Sequence, residues 1–333
     1  MKAAVMREAH TPLAIEDVHI DEPGPREVLV KTSACGVCHS DLHFIEGLYP
    51  TQMPIVLGHE AAGVVEKVGS LVDYVKPGDH VITCLSAFCG TCEYCITGHL
   101  SLCTRIGLNR PDGSTPRLGT KDAPMHQFAN LSAFAEKMLI HENALVKVDH
   151  DMPLDRAALI GCGVTTGVGA VIGCGGVGLS AINGAHIAGA SKIIAIDLSG
   201  TKLNLAKEFG ATDVVNPNDG DVAKQVRNLT GGEGVHHAFE AIGLKQTAED
   251  AFRMIRPGGT ATGPEFLREK KMQGSNMGSN RFRIDMPRYV EFYKQGRLKL
   301  DEMISQRISL SDVNEAFEEM KRGDLARSVI VFD

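Results

Sequence analysis

The sequence has no excess of positive charge. Its 34 Lys and Arg residues are outnumbered by 41 Asp and Glu residues, which gives a formal net charge of -7 and a pI near 6.0. Proteins that bind nucleic acid or an anionic membrane surface normally display a basic patch. The composition therefore argues against both kinds of partner and favours a small-molecule ligand.

The chain also lacks a secretory leader at its start. Residues 1–8 (MKAAVMRE) contain neither an apolar run nor a small-residue cleavage site. We therefore expect a cytoplasmic protein. In that compartment the nine cysteines are expected to be metal ligands or buried thiols and not disulfides.

Charge is missing from one long internal stretch, because no Asp, Glu, Lys or Arg lies between Arg156 and Lys192. That length would suffice for a transmembrane helix. However, residues 157–182 contain eight glycines and Cys162, which is typical of a turn-rich ligand-binding region. We interpret the stretch in that way and expect no membrane span.

What is present is a set of metal donors spread along the chain. Cys38 lies in the segment CGVCHSDLH (35–43), His59 lies in GHE (58–60), and Cys162 lies in GCG (161–163). Two thiolates and one imidazole are the donors that zinc takes in alcohol dehydrogenase, where a fourth position stays open. A buried cysteine and a core histidine would be the commoner explanation of any one of them. Asp41, which could hydrogen-bond His59, favours the metal hypothesis.

A second set of cysteines is local. Cys89, Cys92, Cys95 and Cys103 fall within fifteen residues, a window that would hold about 0.4 cysteine by chance. Four thiolates complete a tetrahedral shell, so the spacing predicts a structural zinc. A nucleic-acid-binding zinc knuckle is the alternative. No Lys or Arg lies between these cysteines, so the structural interpretation is favoured.

A dinucleotide-binding pattern follows Cys162. Residues 173–178 (GCGGVG) form Gly-x-Gly-x-x-Gly at the start of an apolar helical pattern, where backbone N–H groups favour a pyrophosphate. Asp197 ends a strand-like run nineteen residues later. An acid there hydrogen-bonds the adenosine ribose and repels a 2′-phosphate, which predicts NAD rather than NADP. A solvated strand-end acid is the alternative.

The local patterns also predict two kinds of architecture. Residues 1 to about 150 consist of short β-rich runs and turns, and residues 104–129 have little periodicity and are interpreted as a long loop. Beyond Cys162, strand and helix patterns alternate, which predicts a parallel doubly wound sheet. Near the end, Leu310, Val313, Phe317 and Met320 recur at helical spacing, with Ser311 as the predicted cap.

Together these motifs resemble the zinc-dependent medium-chain alcohol dehydrogenases over nearly the whole chain. The resemblance implies an α/β protein with a GroES-like β-barrel catalytic domain and a Rossmann doubly wound parallel sheet. The catalytic domain would comprise residues 1–163 and 276–333, and the NAD-binding domain residues 164–275. It also implies two zinc ions per subunit, NAD as cofactor, and a homodimer or homotetramer.

The resemblance further implies residue roles. Ser40 would take the proton of the alcohol and pass it through the nicotinamide ribose to His43, and Glu60 would join the catalytic zinc ligands Cys38, His59 and Cys162. The cofactor-binding residues would be His39, Thr166, Gly173, Gly175, Gly176, Val177, Gly178, Asp197, Lys202 and Arg327. Without the resemblance, His39 and Arg327 would each be taken for solvated surface side chains.

The implied activity is the reversible oxidation of a primary or secondary alcohol to an aldehyde or ketone, with hydride transfer to NAD. A dehydrogenase acting on S-(hydroxymethyl)glutathione would share every motif, but it would need a cationic pocket that the sequence does not identify. A zinc-stabilised structural protein is the non-enzymatic alternative, and it leaves Ser40 and Asp197 without a purpose.

Two junctions depart from the family pattern. The helix after Cys162 meets the glycine motif near 170/171 with almost no room for the first strand, and the strand begun at 259–262 is interrupted at 263/264. Either residues are omitted at both places or the chain is shortened there. We favour omission, because a doubly wound sheet without its first strand would leave an exposed edge. Bonded Cα atoms, ~3.8 Å apart, at both junctions would contradict it.

Overall fold

The computed structural model describes residues 1–104, 107–111, 113–120, 123–165, 174–261, 271–272, 277–323 and 325–332. The predicted cofactor residues Thr166 and Gly173 lie outside the described residues, and so do the junctions at 170/171 and 263/264. The chain divides into two compact units. The first comprises Met1–Gly163, Asn280–Phe292 and Leu300–Asp333, and the second comprises Val164–Ser279 and Tyr293–Lys299.

The strands of the described residues are β1 (Lys2–Met6), β2 (Ala14–Asp17), β3 (His19–Ile20), β4 (Glu27–Gly36), β5 (Ile55–Val56), β6 (Glu60–Val68), β7 (His80–Thr83), β8 (Leu118–Gly119), β9 (Pro124–Gln127), β10 (Lys137–His141), β11 (Leu145–Val148), β12 (Ile194–Ile196), β13 (Asp213–Val215), β14 (Val235–His237), β15 (Ile255–Ala261), β16 (Lys271–Met272), β17 (Gln306–Ile308) and β18 (Ser328–Val331).

The α-helices of the same residues are α1 (His39–Ile45), α2 (Glu93–Ile96), α3 (Leu154–Leu159), α4 (Gly176–Ile187), α5 (Gly200–Glu208), α6 (Val222–Leu229), α7 (Lys245–Met254), α8 (Phe282–Lys294) and α9 (Val313–Arg322). A π-helical turn, Ile160–Val164, continues α3. Among the described residues, no helix combines the length and apolarity that crossing a bilayer requires.

The first unit is a partly open barrel of two mainly antiparallel sheets. One sheet has the strand order β2-β1-β5-β9-β8-β3, and the other has the order β11-β7-β6-β4-β18-β17, with β10 also paired to β4. The predicted barrel is thereby confirmed. The prediction of a long loop over residues 104–129 is wrong in part, because β8 and β9 form within it and complete the first sheet.

β4 is the strand that organises the first unit. Eight of its ten residues are buried, and its β-branched and small side chains suit a strand covered on both faces. It pairs antiparallel with β6, in a register that places Gly36 opposite Glu60. Because the two strands run in opposite directions, the residue just beyond Gly36 and the residue just before Glu60 are neighbours. The register therefore brings Cys38 towards His59.

Cys162 reaches the same place through a helical segment. α3 packs on both β4 and β6, and the π-helical turn that follows it carries Cys162. Single π-helical turns of this kind are frequent at functional sites. Gly161 fits this close approach, since a Cβ there would lie 2.8 Å from the backbone oxygen of Thr83.

The predicted apolar stripe near the end of the chain packs into the first unit. Val313 and Phe317 of α9 are buried in its core, where the Phe317 ring meets Phe134 at a centroid distance of 6.1 Å. The predicted cap, Ser311, is wrong. Ser309 caps instead, because its hydroxyl and Asp312 form a reciprocal capping box one 3-10 turn before α9.

The second unit contains parallel strand pairs alternating with helices. β12 pairs with β13, and β15 pairs with both β14 and β16, all in parallel. Helix α4 precedes β12 along the chain, and α5, α6 and α7 lie between the successive strands β12, β13, β14 and β15. The predicted parallel sheet is therefore confirmed within the residues described.

Candidate metal centre and active site

The three dispersed donors meet inside the first unit. The sulfurs of Cys38 and Cys162 and a ring nitrogen of His59 all lie within 4.8 Å of one another. Their residues are only 5%, 5% and 1% exposed. Three buried donors that converge on one point, with a fourth direction left over, match the donor set of a catalytic zinc.

His59 is oriented by its neighbour Asp41. The Asp41 carboxylate lies 3.2 Å from His59 Nδ1 and also accepts a hydrogen bond from the Gly58 N–H at 3.0 Å. Asp41 thus occupies Nδ1. The other ring nitrogen, Nε2, is buried and has no hydrogen-bond partner among the described residues. An orphaned imidazole nitrogen beside two thiols is what a metal site requires, so the residues present fit zinc.

The charges within the cluster depend on one another. Burial lowers the pKa of His59, but the Asp41 carboxylate and Cys38 outweigh it and raise that pKa well above its usual value. A hydrogen bond with Cys162, aided by His59, holds the pKa of the Cys38 thiol well below its usual range despite burial. The cluster therefore favours a thiolate at Cys38, the form in which cysteine binds metal.

Glu60 is not one of the converging donors. Its fully buried carboxylate accepts the Gly163 N–H at 2.7 Å and lies 3.6 Å from Arg327 Nε. Burial raises the pKa of Glu60 to about 7, although the Arg327 charge opposes it. Glycines make this position possible, because a Cβ on Gly36 would lie 2.6 Å from Glu60 Oε2 and one on Gly163 would lie 2.9 Å from Oε1.

Arg327 is buried, contrary to the surface position that its sequence context alone suggested. It is 5% exposed and donates from Nη1 to the Val37 backbone oxygen at 3.1 Å. Despite the burial, the Glu60 charge holds its pKa above the usual value. The strand β18, which begins at the next residue, fixes it beside β4.

The predicted relay residues lie on α1, directly after Cys38. Ser40 is exposed, and its hydroxyl is 3.7 Å from the Cys38 sulfur. His43 lies one turn further on, half-buried, with no hydrogen-bond partner for Nδ1 among the described residues. The ring of the exposed His39 is 6.1 Å from that of His43. Ser40 is thus the hydroxyl beside the cluster, and no direct Ser40–His43 hydrogen bond is present in the described part of the chain.

The four local cysteines also converge. All four sulfurs lie within 4.8 Å of one another, with separations of 3.5 Å for Cys92–Cys95 and 3.9 Å for Cys92–Cys103. Backbone N–H groups of Thr104 and Cys95 lower the pKa of Cys92 to about 6, which favours the thiolate. The remaining cysteines, Cys35, Cys84 and Cys174, are buried, and none of the three forms a disulfide.

The described part of the nucleotide motif is the start of α4. Gly175 is its N-cap, and Gly176, Val177 and Gly178 form the first turn. A Cβ on Gly175 would meet nothing within 4 Å, and its φ of -79° suits any residue, so the protein's own packing does not require glycine there. That leaves room for a ligand to approach the backbone, as a bound dinucleotide would.

Asp197 lies directly beyond β12, at the edge of this motif. Its carboxylate accepts hydrogen bonds from the Cys174 N–H at 3.2 Å and the Ser199 N–H at 2.9 Å. Ser199 in turn caps α5, and Lys202 lies in the first turn of that helix. The structure therefore places Asp197 beside the glycine motif. That is the position from which an acid could hydrogen-bond the ribose of a bound dinucleotide.

Sequence reasoning missed an aromatic cluster beside the metal donors, formed by Phe44, Tyr49 and Phe128. The Phe128 ring lies 5.5 Å from the His59 ring and 4.8 Å from that of Phe44. Tyr49 meets Phe44 and His43 at 5.5 and 5.6 Å. No spacing rule connects residue 128 with residue 59, so the sequence offered no signal for this contact.

Comparisons with known proteins agree with this geometry. Residues 24–150 match the family described as alcohol dehydrogenase GroES-like domain, and residues 176–263 match the family described as zinc-binding dehydrogenase. The NDMA-dependent alcohol dehydrogenase of Amycolatopsis methanolica is 39% identical over 368 residues, covering 99% of this chain and 98% of that protein. The S-(hydroxymethyl)glutathione dehydrogenase of Saccharomyces cerevisiae is 36% identical over 371 residues, covering 99% and 96%.

A crystal structure agrees over the same extent. An alcohol dehydrogenase zinc-binding domain protein from Burkholderia ambifaria superimposes with a TM-score of 0.92 at 34% identity, covering 100% of this chain and 98% of that one. The first unit is thus a GroES-like half-barrel and the second a Rossmann-type parallel-sheet unit. The 371-residue match to the yeast protein exceeds this 333-residue chain, so at least 38 of its positions lack a counterpart here.

Proposed function

We propose that this chain, which belongs to the zinc-containing medium-chain alcohol dehydrogenase family, oxidises primary or secondary alcohols reversibly with NAD. It is a zinc-dependent alcohol dehydrogenase, and the proposal concerns its cofactor, its substrate and the role of each residue. The observation that carries it is the convergence of Cys38, His59 and Cys162 beside the Ser40 hydroxyl.

Cys38, His59 and Cys162 would hold the catalytic metal, and Asp41 would keep His59 Nε2 directed at it. A zinc ion bound there supplies a Lewis acid that makes an alcohol hydroxyl more acidic. The buried, thiolate-favouring surroundings of Cys38 support this role. Glu60, which faces Gly163 and Arg327, is proposed as a neighbouring group and not as a permanent ligand.

Ser40 and His43 would remove the hydroxyl proton of the alcohol. Ser40 Oγ lies beside the Cys38 sulfur on an exposed turn, so it can reach both a substrate hydroxyl and solvent. His43, with its partnerless Nδ1, would then carry the proton outward. Ser40→Ala should therefore lower kcat by roughly 10² or more, the usual contribution of a proton-transferring group. An unchanged kcat would contradict the role.

NAD would bind at the start of α4, with Asp197 selecting against NADP. The Asp197 carboxylate lies against the Cys174 N–H, so a 2′-phosphate there would face a fixed negative charge. Asp197→Gly should shift the ratio of kcat/KM for NAD and NADP by roughly tenfold or more towards NADP, about 1.4 kcal/mol. An unchanged ratio would count against the assignment.

His39, Lys202 and Arg327 are proposed to contact the same cofactor, as are Thr166 and Gly173, which lie outside the described residues. We further propose that residues 1–163 and 276–333 form the catalytic domain and residues 164–275 the cofactor domain. Assembly into a homodimer or homotetramer is part of the same proposal, and light scattering of the zinc-loaded protein tests it.

The direct test is a panel of primary and secondary alcohols with the zinc-loaded protein, followed at the NADH absorbance. We expect NADH to appear with at least one alcohol, and the reverse reaction to consume NADH with the matching aldehyde or ketone. If no alcohol gives NADH while two zinc ions are bound, the proposal is wrong, and the alternative of a zinc-stabilised structural protein is favoured.

The name of the yeast relative makes S-(hydroxymethyl)glutathione a second candidate substrate. That adduct carries two carboxylates, which normally call for cationic side chains at the site. Comparing its kcat/KM with that of a simple primary alcohol separates the two candidates. A higher value for the adduct would favour the glutathione-dependent reaction.

A further inference from the structure

A short segment of the first unit has an unusual backbone conformation. Ala129, Asn130 and Ser132 have φ angles of +52°, +59° and +60°, so three non-glycine residues within four positions are left-handed. This region is disfavoured for residues with a Cβ, and such strain persists only where the surrounding structure imposes it. The contacts of Ser132 show what imposes it here.

The Ser132 hydroxyl is buried and makes two hydrogen bonds. The residue is only 1% exposed. Its Oγ accepts from the Phe128 N–H at 3.0 Å and donates to the Val56 backbone oxygen at 2.8 Å. The bond from Phe128 closes the turn and fixes the direction of the hydroxyl. The left-handed turn therefore directs the hydroxyl proton at Val56.

Residues 56–58, which lead into His59, are bonded to residues 132–134 at every position. The bonds run from Ser132 Oγ to the Val56 oxygen at 2.8 Å, from the Phe134 N–H to the Leu57 oxygen at 3.0 Å and from the Ala133 N–H to the Gly58 oxygen at 2.9 Å. The Gly58 N–H donates to Asp41. The position of His59 is therefore fixed both by Asp41 and by the segment that follows the strained turn.

The two segments are in direct contact, so a shift of one displaces the other. Gly58 has a φ of +88°, and a Cβ there would lie 2.5 Å from the Phe134 backbone nitrogen. Leu57 and Phe134 are both fully buried, and a close-packed interior leaves little space for readjustment. Of the three bonds between the segments, only the one from Ser132 comes from a side chain. It is therefore the bond that a substitution can remove.

We propose that Ser132 is a positioning residue for the metal ligand His59. Its hydroxyl holds Val56 in place, and residues 56–58 transmit that position to the imidazole, so that Nε2 meets the two cysteine sulfurs. Loss of a group that supports a metal ligand typically lowers metal affinity 10- to 100-fold. The inference rests on the metal site of the proposed function and does not depend on which alcohol is oxidised.

Cobalt(II) in place of zinc gives a readout that does not require turnover. Its visible absorption differs between a site with two sulfurs and one nitrogen and a site with four sulfurs, so the two sites can be followed separately. The cobalt-loaded protein is challenged with increasing EDTA. Ser132→Ala should lose the two-sulfur bands at about a tenth of the EDTA concentration that the wild type needs, with the four-sulfur bands unchanged. Equal loss curves would overturn the inference.

Two glycine variants separate the hydroxyl from the backbone strain. Ser132→Gly removes the hydroxyl but suits the left-handed backbone, so it should fold and lose cobalt as readily as Ser132→Ala. Asn130→Gly relieves strain in the same turn but keeps the hydroxyl, so it should retain cobalt like the wild type. Wild-type retention by Ser132→Gly would contradict the role of the hydroxyl. Loss in Asn130→Gly equal to that in Ser132→Ala would assign the effect to the backbone instead.

Thr230 provides a matched control in the second unit. Its hydroxyl donates to the Val226 backbone oxygen at 2.9 Å and accepts from the Gly234 N–H at 3.0 Å, a pair of bonds like that of Ser132. Thr230→Val should lower the Tm but leave both sets of cobalt bands unchanged. If it releases cobalt from the two-sulfur site as readily as Ser132→Ala, the effect is general destabilisation and the inference is wrong.

The wild type distinguishes failure of the inference from failure of the proposed function. If the cobalt-loaded wild type lacks the two-sulfur bands, the metal site of the proposed function is itself wrong, and the inference fails with it. If the bands are present and all the variants retain them equally, only the role of Ser132 is refuted.

Discussion

The two cysteine-containing sites differ in what surrounds them. The Cys38, His59 and Cys162 site is buried and drawn from three distant segments, whereas every residue from Phe88 to Cys103 is at least partly exposed. The first site is shaped by strand register and core packing. The second has no apolar core of its own, so its four sulfurs and a metal must hold it together.

Glycines show the same difference. In the buried site, Gly36 and Gly163 provide space, since a Cβ on either would lie within 3 Å of the Glu60 carboxylate. In the four-cysteine segment, Gly90 and Gly98 have open surroundings but φ angles of +80° and +85°. They provide a left-handed backbone instead. In the buried site, glycine is needed because a side chain would not fit. In the four-cysteine segment, it is needed because the backbone is left-handed.

Cys38→Ser should have the largest effect, because it removes a buried thiolate from the converging donors. We expect alcohol oxidation to be abolished, one of two zinc ions to be lost and NAD binding to persist. Metal analysis, NADH absorbance and equilibrium dialysis with NAD measure the three. Retained turnover would remove the metal from the mechanism.

Cys95→Ser should act on stability first. With the fourth sulfur gone, residues 88–103 have no buried side chain to order them. We expect loss of the other zinc ion, a lower Tm and new protease cleavage confined to that segment, as mapped by mass spectrometry. If the variant keeps two zinc ions and resists cleavage, the segment is not held by metal.

Glu27→Gln should weaken the attachment of the segment that carries Arg110 and Arg117 to the barrel strand β4. Glu27 is 5% exposed and accepts hydrogen bonds from Arg110 at 2.7 Å and Arg117 at 2.6 Å. Burial raises its pKa, but these arginines outweigh it and lower the pKa to about 2, from 4.5. The ionised carboxylate therefore stabilises the fold by about 3 kcal/mol at neutral pH.

Because the folded-state pKa is depressed, this stabilisation is complete above pH 4.5 and is lost as the pH falls towards 2. The gap in urea-unfolding free energy between wild type and Glu27→Gln should shrink over that range. Glu22→Gln is the control, since its exposed bridge to Lys67 should contribute about 1 kcal/mol or less. A gap that is constant with pH would contradict the assignment.

Gly36→Ala should have the smallest of these effects, and a second substitution at Glu60 should restore the lost stability. The added methyl would lie 2.6 Å from Glu60 Oε2, and overpacking of this kind costs about 1–3 kcal/mol. Glu60→Asp shortens the carboxylate side chain, so the double variant should recover stability lost by the single one. Chemical unfolding of all four proteins gives the coupling free energy, and strict additivity would refute the contact.

Sequence alone predicted what depends on local spacing. The four cysteines fall within fifteen residues, and Asp41 lies three residues after Cys38, in the helix α1 that places it against His59, so both could be predicted without a fold. The parallel strands of the second unit were predicted from the alternation of strand and helix patterns along the chain. Here local preference and the final structure agree.

Other features depended on contacts that no spacing reveals. Glu60 follows His59 directly and was expected among the ligands, yet Gly163 and Arg327 draw its carboxylate aside. The Phe128 contact with His59 depends on three left-handed residues. The Ser309 cap displaced Ser311 because Asp312 completes its box only in that register.

The position of β18 beside β4 has a consequence for how the protein matures. Residues 89–103 can capture a zinc ion on a nascent chain, because all four sulfurs are already close in the chain. The buried site must wait for Cys162 and for β18, which pairs with the end of β4 near Cys38. The four-cysteine site can therefore bind its zinc ion before the rest of the chain is synthesised. The Cys38, His59 and Cys162 site forms last.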